Sequence, residues 1–365
     1  MAHKINFFQK NIFTPILLSI LILNNCSEST LEPESSNSCE GIYILVSGEN
    51  EGIFYSDFDS INFTKIAEKS NYESMWLASD FPLLIAASKK QISFINTHTN
   101  KKIDDIIVPN TVNPEPNIWY GPVLILKNKQ SKDRCILVNR SVYMINLQTK
   151  RIESVIWNVE QFDSLTYIHD VAQTEDGQYL LLQLTYRGCW PIGPNLEQCG
   201  WKQRLIKLDI SNGNTQIIHE YPPENYTGAH YVFSTDKSIL SYSPNIDQIL
   251  IFDFSSATLL DSFYVSETEF FGDEYPYDEG IIIQSNDNGN FFRIIPDEKK
   301  IEPIIQLNLG TLGLGHLIYQ SLKGGDLYAC VVDPSGKKHS IVNLTTRNIV
   351  LEFENNFTYL IIYKE

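Results

Sequence analysis

Three of the chain's seven histidines are its best candidates for chemistry. His169 (in YIHDVAQT), His230 (in GAHYVFST) and His316 (in GLGHLIYQS) each stand at the head of a short apolar run. Glu73 holds a comparable place upstream, and Asp273 or Glu274 does so downstream. Imidazoles and carboxylates converging on one point can bind a divalent metal, or act as base and acid in hydrolysis of a lactone or ester. The same residues also suit a polar lining around a water-filled opening. No GxSxG elbow, GxxxxGK[ST] phosphate loop, CxxCH haem site or HExxH pair is present. Asp287-Asn288-Gly289-Asn290 has the composition of part of a calcium loop but lacks its downstream acid, and reads as a hairpin turn. No cofactor is required by any of this, a divalent metal being the one option, and a non-catalytic reading is preferred.

Binding chemistry is more abundant. Trp119, Tyr120, Tyr167, Trp190, Trp201, Tyr221, Tyr226, Phe270, Phe271, Tyr275 and Tyr277 fall in segments between apolar runs. Large aromatics give rigid amphipathic contact area at low entropic cost. Trp119, Tyr120, Trp190, Trp201, Tyr226 and Tyr275 are therefore candidate ligand-binding residues for a protein, peptide or glycan. The alternative is that these rings plug spaces between elements. Cys189 and Cys199 bracket CWPIGPNLEQC, a short segment that one disulfide would close, and the other cysteines are Cys26, Cys39, Cys135 and Cys330.

Charge narrows the partners. With 28 Lys+Arg against 44 Asp+Glu, the net charge of -16 repels phosphate backbones and anionic head groups, which argues against nucleic acid and against anionic lipid as default partners.

The elements that must position these residues are strands. From Gly41 onward, runs rich in Ile, Val, Leu, Tyr and Phe alternate with Gly/Asn/Asp/Ser turns, and no long segment carries a helical period. Seven copies of one strand-turn-strand unit recur: IFYSDFDSINFTKI, ISFINTHTNKKIDDI, VYMINLQTKRIESVI, LIKLDISNGNTQII, ILIFDFSSATLLDSF, FFRIIPDEKKIEPII and HSIVNLTTRNIVLEF. Aligning them equates Asp57, Asn96, Asn146, Asp209, Asp253, Pro296 and Asn343, with gaps of 39, 50, 63, 44, 43 and 47 residues. That period suits four-stranded propeller blades. Further strands precede the copies, at Met75 to Asp80 and Leu83 to Ser88 before the second and at Ile168 to Thr174 and Tyr179 to Tyr186 before the fourth. Only Gly41 to Ser47 precedes the first, while Thr358 to Tyr363 is left over after the last and can complete the first blade.

The second copy, ISFINTHTNKKIDDIIV, resembles the YVTN-type bacterial surface propeller repeat and, more distantly, lactonase-type and quinoprotein-type propellers. Together the seven copies, the strands that precede them and the leftover last strand read as a seven-bladed, all-β propeller of antiparallel four-stranded blades, closed by its C-terminal strand so that no sheet edge is left open, and the resemblance agrees with that fold. A pair of β-sandwiches, or a ring of six or eight blades, stays open as an alternative. In such a ring the long aromatic segments share one face, and the three histidines surround the mouth of the channel. The lactonase-type pattern also includes an arginine; Arg187 and Arg293 are the nearest here, and neither matches its strand position.

The first residues read as an address. Lys4 and Lys10 precede the uncharged apolar run Ile12 to Leu23, a signal-peptide pattern too short to span a bilayer. Leu23-Asn24-Asn25-Cys26 resembles a bacterial lipobox of the relaxed kind found in spirochaetes or Bacteroidota, which implies lipidation at Cys26 and a place in the cell envelope, periplasmic or surface-exposed. Losing the two lysines would take the charge from -16 to -18. The expected organisation is a signal at 1–25, a flexible acidic tether at 26–40 and one propeller domain at 41–365 that touches membrane through its anchor only and acts as a monomer.

Overall fold

The structure, a computed structural model, describes residues 41–46, 52–57, 63–68, 72–78, 80–109, 123–159, 166–174, 176–194, 196–221, 231–234, 238–243, 248–264, 275–277, 280–284, 291–295, 298–305, 328–332, 338–343, 345–346, 348–354 and 359–363. The signal, tether and Cys26 expected from the sequence lie outside them, and every described residue belongs to the compact unit Ser38–Glu365.

The described strands form seven antiparallel sheets. The first contains β1 (Gly41–Val46), β2 (Gly52–Asp57) and β3 (Thr64–Glu68). The second runs β4 (Ser74–Ala78), β5 (Leu83–Ala87), β6 (Gln91–Asn96), β7 (Lys101–Ile107), and the third β8 (Leu124–Lys127), β9 (Arg134–Val138), β10 (Ser141–Asn146), β11 (Arg151–Asn158). The fourth holds β12 (Tyr167–Gln173), β13 (Tyr179–Gly193), β14 (Leu196–Asp209) and β15 (Thr215–Glu220). The fifth is β16 (Tyr231–Ser234), β17 (Ser238–Ser243), β18 (Gln248–Asp253), β19 (Leu259–Tyr264), and the sixth β20 (Tyr275–Tyr277), β21 (Gly280–Gln284), β22 (Phe291–Ile295), β23 (Lys300–Ile305). The seventh shows three described strands, β24 (Tyr328–Val332), β25 (Lys338–Asn343) and β26 (Asn348–Glu354). The last strand, β27 (Tyr359–Tyr363), pairs antiparallel with β1 from Gly41↔Tyr363 to Leu45↔Tyr359, so chain start and chain end share the first sheet.

Burial explains the strand composition. β1, β4 and β5 are buried at every position, so they read as unbroken apolar or small runs rather than alternating ones. The fourth strand of the second sheet, KKIDDII, is exposed at most positions and carries the charge. Core clusters lie between successive sheets: Tyr43 and Ile53 pack with Leu77 and Leu84, Phe94 with Leu137 and Tyr143, Val142 with Leu182, Leu205 with Phe252, and Leu240 with Ile294. Each of the first six sheets thus packs face to face on its neighbour in sequence. Polar staples cross the same interfaces. The Tyr43 hydroxyl donates to Asn100 Oδ1 at 3.1 Å, that of Tyr143 to the Pro109 carbonyl at 2.8 Å, and Lys207 Nζ to the Phe254 carbonyl at 2.9 Å.

The repeat is a turn with a fixed mechanism. Asn96 Oδ1 accepts from the backbone N–H groups of His98 and Thr99, Asp209 Oδ1 from that of Ser211, Asp253 Oδ1 from those of Ser255 and Ser256, and Asn343 Oδ1 from that of Thr346. Four residues after the capping position the chain turns left-handed, at Asn100 (φ 51), Lys150 (φ 52), Gly213 (φ 77) and Ala257 (φ 57). A bulge in the outer strand follows in every copy, for example between Phe94/Ile95 and Ile251/Phe252. In the sixth copy the left-handed residue is Lys299 (φ 50), and Ile295 pairs with Lys300 as Asn96 pairs with Lys101. The residue equivalent to Asn96 is therefore Ile295, not Pro296 as the sequence alignment had it. The sixth turn lacks the side-chain cap that would have marked the register.

Candidate functional site

One hairpin departs from the pattern. β13 and β14 run 15 and 14 residues, and their ladder continues past the sheet from Tyr186↔Lys202 to Gly193↔Leu196. Beyond Thr185, neither flanking strand follows: β12 begins pairing at Tyr167↔Thr185, and β15 ends at Arg204↔Glu220. The result is a two-stranded arm. A free two-stranded ribbon is marginal in water, and this one is stapled by a disulfide between Cys189 and Cys199, which stand directly opposite each other with Cα atoms 4.0 Å apart. The sequence placed this disulfide correctly but took the segment for a loop, because Gly188, Pro191, Gly193 and Pro194 read as strand breakers.

Period-2 alternation sorts the arm's side chains onto two faces. One carries Arg187, the disulfide and Trp201, whose indole meets Tyr167 edge to face at 6.1 Å where the arm leaves the sheet. The other carries Tyr186, Gly188, Trp190, Gly200, Lys202 and Arg204. Gly188 and Gly200 are paired, and their missing side chains let neighbours approach the ladder closely. A Cβ at Gly200 would stand 3.0 Å from the Trp190 ring, and one at Gly188 would stand 2.9 Å from Lys202 Cδ. Lys202 Nζ sits 5.8 Å from the Trp190 centroid, and the Arg204 guanidinium lies 5.0 Å from that of Tyr186 while ion-pairing with Glu220. Trp190 and Trp201, grouped as one surface from the sequence, thus face opposite ways. At the tip, Ile192 and Leu196 are 58% and 62% exposed. Lys202, Arg204, Tyr186 and these two aliphatics were not singled out by sequence; the alternation around the glycine pair is the signal that finds them.

The other aromatics divide. Tyr167 and Tyr221 are buried, the Tyr221 hydroxyl bonding that of Ser241, so both pack as interior groups. Tyr275 opens β20. Trp119, Tyr120 and Tyr226 lie outside the described residues, as do His230, His316, Asp273 and Glu274.

Of the acid-base candidates, Glu73 and His169 are described, the first just before β4 of the second sheet and the second within β12 of the fourth. Burial pushes the Glu73 carboxyl upward, against the opposing pull of Lys89 at 3.5 Å. Burial holds the His169 imidazole down at about 4, which makes it a weak base near neutrality. Its neighbour Asp170 accepts the Val232 N–H at 2.7 Å, tying the fourth sheet to the fifth. Among the described residues no group of three or more His, Cys, Asp or Glu side chains is placed to hold a metal ion. Cys135 is buried and unpaired by disulfide, its thiol pushed up by burial.

No protein-family profile matches the chain, and no curated protein sequence matches it. Solved structures do. The β-propeller domain of Myceliophteria thermophila Cps50 (Swd1) superposes with a TM-score of 0.54 at 10% identity, covering 79% of this chain and 87% of that one. Dihydro-heme d1 dehydrogenase NirN, in complex with DHE, gives 0.52 at 10% identity over 90% of this chain and 76% of that one. These likenesses define the class: the chain has a β-propeller fold. At such identity they speak to fold and not to activity.

Proposed function

We propose that the chain is a lipid-anchored β-propeller of a bacterial cell envelope, built of seven blades and acting as a binding module without catalysis. Seven sheets among the described residues and the β27–β1 pairing support seven blades with closure by the C-terminal strand. The observation that carries the binding role is the stapled arm. Every other described hairpin stays within its sheet, whereas this one extends past its flanking strands and presents Trp190, Trp201, Ile192 and Leu196. Burial of no core requires those residues there, and exposed apolar excursions from a regular scaffold are where propellers and other repeat folds bind. The partner class is protein, peptide or glycan.

The test is capture from envelope extracts by the chain carrying Cys26→Ala. Trp190→Ala or Trp201→Ala should each weaken capture by more than about 1 kcal/mol with the unfolding midpoint unchanged. Equal capture by both variants refutes the arm as contact element. The anchor is tested separately: Cys26→Ala should release the protein from the membrane fraction, and retention refutes lipidation.

A further inference from the structure

We infer that the tip of the β13–β14 arm enters the interface of an anionic lipid bilayer. The inference rests on the arm being the contact element and goes beyond the protein, peptide or glycan class proposed for it by adding a lipid surface.

Three chemistries are ordered along the arm's axis. At the end stand Pro191, Ile192 and Leu196, the two aliphatics more than half exposed and with no core to join. Two residues back from Ile192 stands Trp190, half-buried and close against Gly200. Three residues further back on the same strand is Arg187 on the opposite face, and at about that depth Lys202 stands on Trp190's own face, opposite Tyr186. At about 3.3 Å per residue, the first step is roughly 7 Å and the second roughly 10 Å. A bilayer presents the matching order from inside out: hydrocarbon, a belt where indole rings settle, then phosphates, over an interfacial layer of several ångströms per leaflet. A groove on a protein partner does not require that order.

Charge points the same way. The arm beyond the sheet, residues 186–203, contains Arg187 and Lys202 against the single acid Glu197, a formal +1 on a chain of -16, while Arg204 at its base is ion-paired with Glu220. The chain as a whole is repelled by an anionic surface, and this arm is a place where the sign is reversed. The Lys202 stem lies over Gly188 with its ammonium near the Trp190 ring, the posture of a side chain that keeps its stem on apolar surface and its charge toward head groups. Two exposed aliphatics and one net positive charge give weak, reversible docking. Such docking would orient a tethered propeller rather than hold it.

The experiment uses the full-length chain reconstituted into vesicles whose acyl chains are brominated, which quench indoles that reach the hydrocarbon boundary. Wild type is compared with Trp190→Phe and with Ile192→Ser/Leu196→Ser, in pure phosphatidylcholine and with phosphatidylglycerol added; the N-terminal apolar run is common to every sample. The inference requires quenching on anionic vesicles that falls at least about twofold in both variants, is weaker without phosphatidylglycerol, and drops further when Lys202→Gln removes a cation, each charge being worth roughly fivefold in attraction. Quenching that is equal in wild type and Trp190→Phe, or equal on both lipids, overturns it. If quenching fails while Trp190→Ala still weakens capture from extracts, the arm meets a protein or glycan instead, and the binding reading survives. If both fail, the arm is not a contact element.

Discussion

The β6–β7 hairpin and the β13–β14 hairpin use the same ladder chemistry, yet one is sealed into the molecule and the other leaves it. In the first, Phe94 and Ile92 are fully buried between neighbouring sheets, and the turn is closed by Asn96 and a left-handed Asn100. In the second, residues up to Thr185 are just as buried, and from Arg187 onward exposure takes over while pairing continues unbroken to Pro191↔Glu197. Backbone pairing therefore does not distinguish scaffold from arm. What the faces meet does: a second sheet in one case, solvent and a disulfide in the other.

That contrast is broken most severely at the seam of the scaffold. Removing residues 359–365 takes β27 from β1 and leaves a fully buried strand with an open edge. Loss of cooperative folding, or aggregation on expression, is the expected result, and a soluble truncation with an unchanged unfolding midpoint would show that the pairing is dispensable. Next comes Phe94→Ala, which empties part of the cluster shared by the second and third sheets and should cost about 3–5 kcal/mol in denaturant titration. A change on the arm of comparable size, such as Ile192→Ala, should cost under about 0.5 kcal/mol, because that side chain is already in water.

Acid tests the scaffold differently. The fold keeps the His169 imidazole neutral, its value held near 4 against an ordinary 6.5. The contribution is complete above about pH 6.5 and is lost as pH falls toward 4, a shift worth roughly 3.5 kcal/mol at about 1.4 per unit. His169→Gln should flatten the stability slope across that window in pH-dependent unfolding; an unaltered slope would mean that another group carries the acid sensitivity.

The repeat turns offer a smaller, signed test. Gly213 is left-handed, and a Cβ there would stand 2.6 Å from the Ile156 carbonyl oxygen, so Gly213→Ala should destabilise by about 1–2 kcal/mol. Ala257 holds the equivalent place in the fifth sheet with the strain already present, so Ala257→Gly should stabilise by about 0.5–1 kcal/mol. If both substitutions shift the midpoint in the same direction, the two turns are not equivalent.

These turns also show what the sequence made legible. Asn96, Asn146, Asp209, Asp253 and Asn343 recur because a carboxamide or carboxylate must cap the same turn, so the copies could be aligned and the strands placed to within a residue or two. The alignment slipped at Pro296 where Ile295 replaced the cap and nothing local marked the register. The Cys189–Cys199 pair was legible from its spacing, but the arm was not, since two prolines and three glycines signal a loop unless long-range pairing overrides them. Tyr167 and Tyr221 were read as surface because a ring's type does not say which side of a sheet it faces.

The smallest expected effect on the whole molecule is the sharpest test of the contrast. The disulfide closes a loop of about ten residues, which in the chain-entropy account is worth roughly 2.5–3 kcal/mol to whatever it closes. If the arm were part of the scaffold, Cys189→Ser/Cys199→Ser would lower the global midpoint by that amount. The arm is instead held by few contacts beyond its own ladder, so the loss should appear as local opening, with faster amide exchange confined to residues 186–203 and a global change under about 1 kcal/mol. The two measurements must separate for the arm to be an appendage. Exchange that quickens across β12 and β15 as well would show that the staple supports the fourth sheet itself, and that scaffold and arm are one cooperative unit.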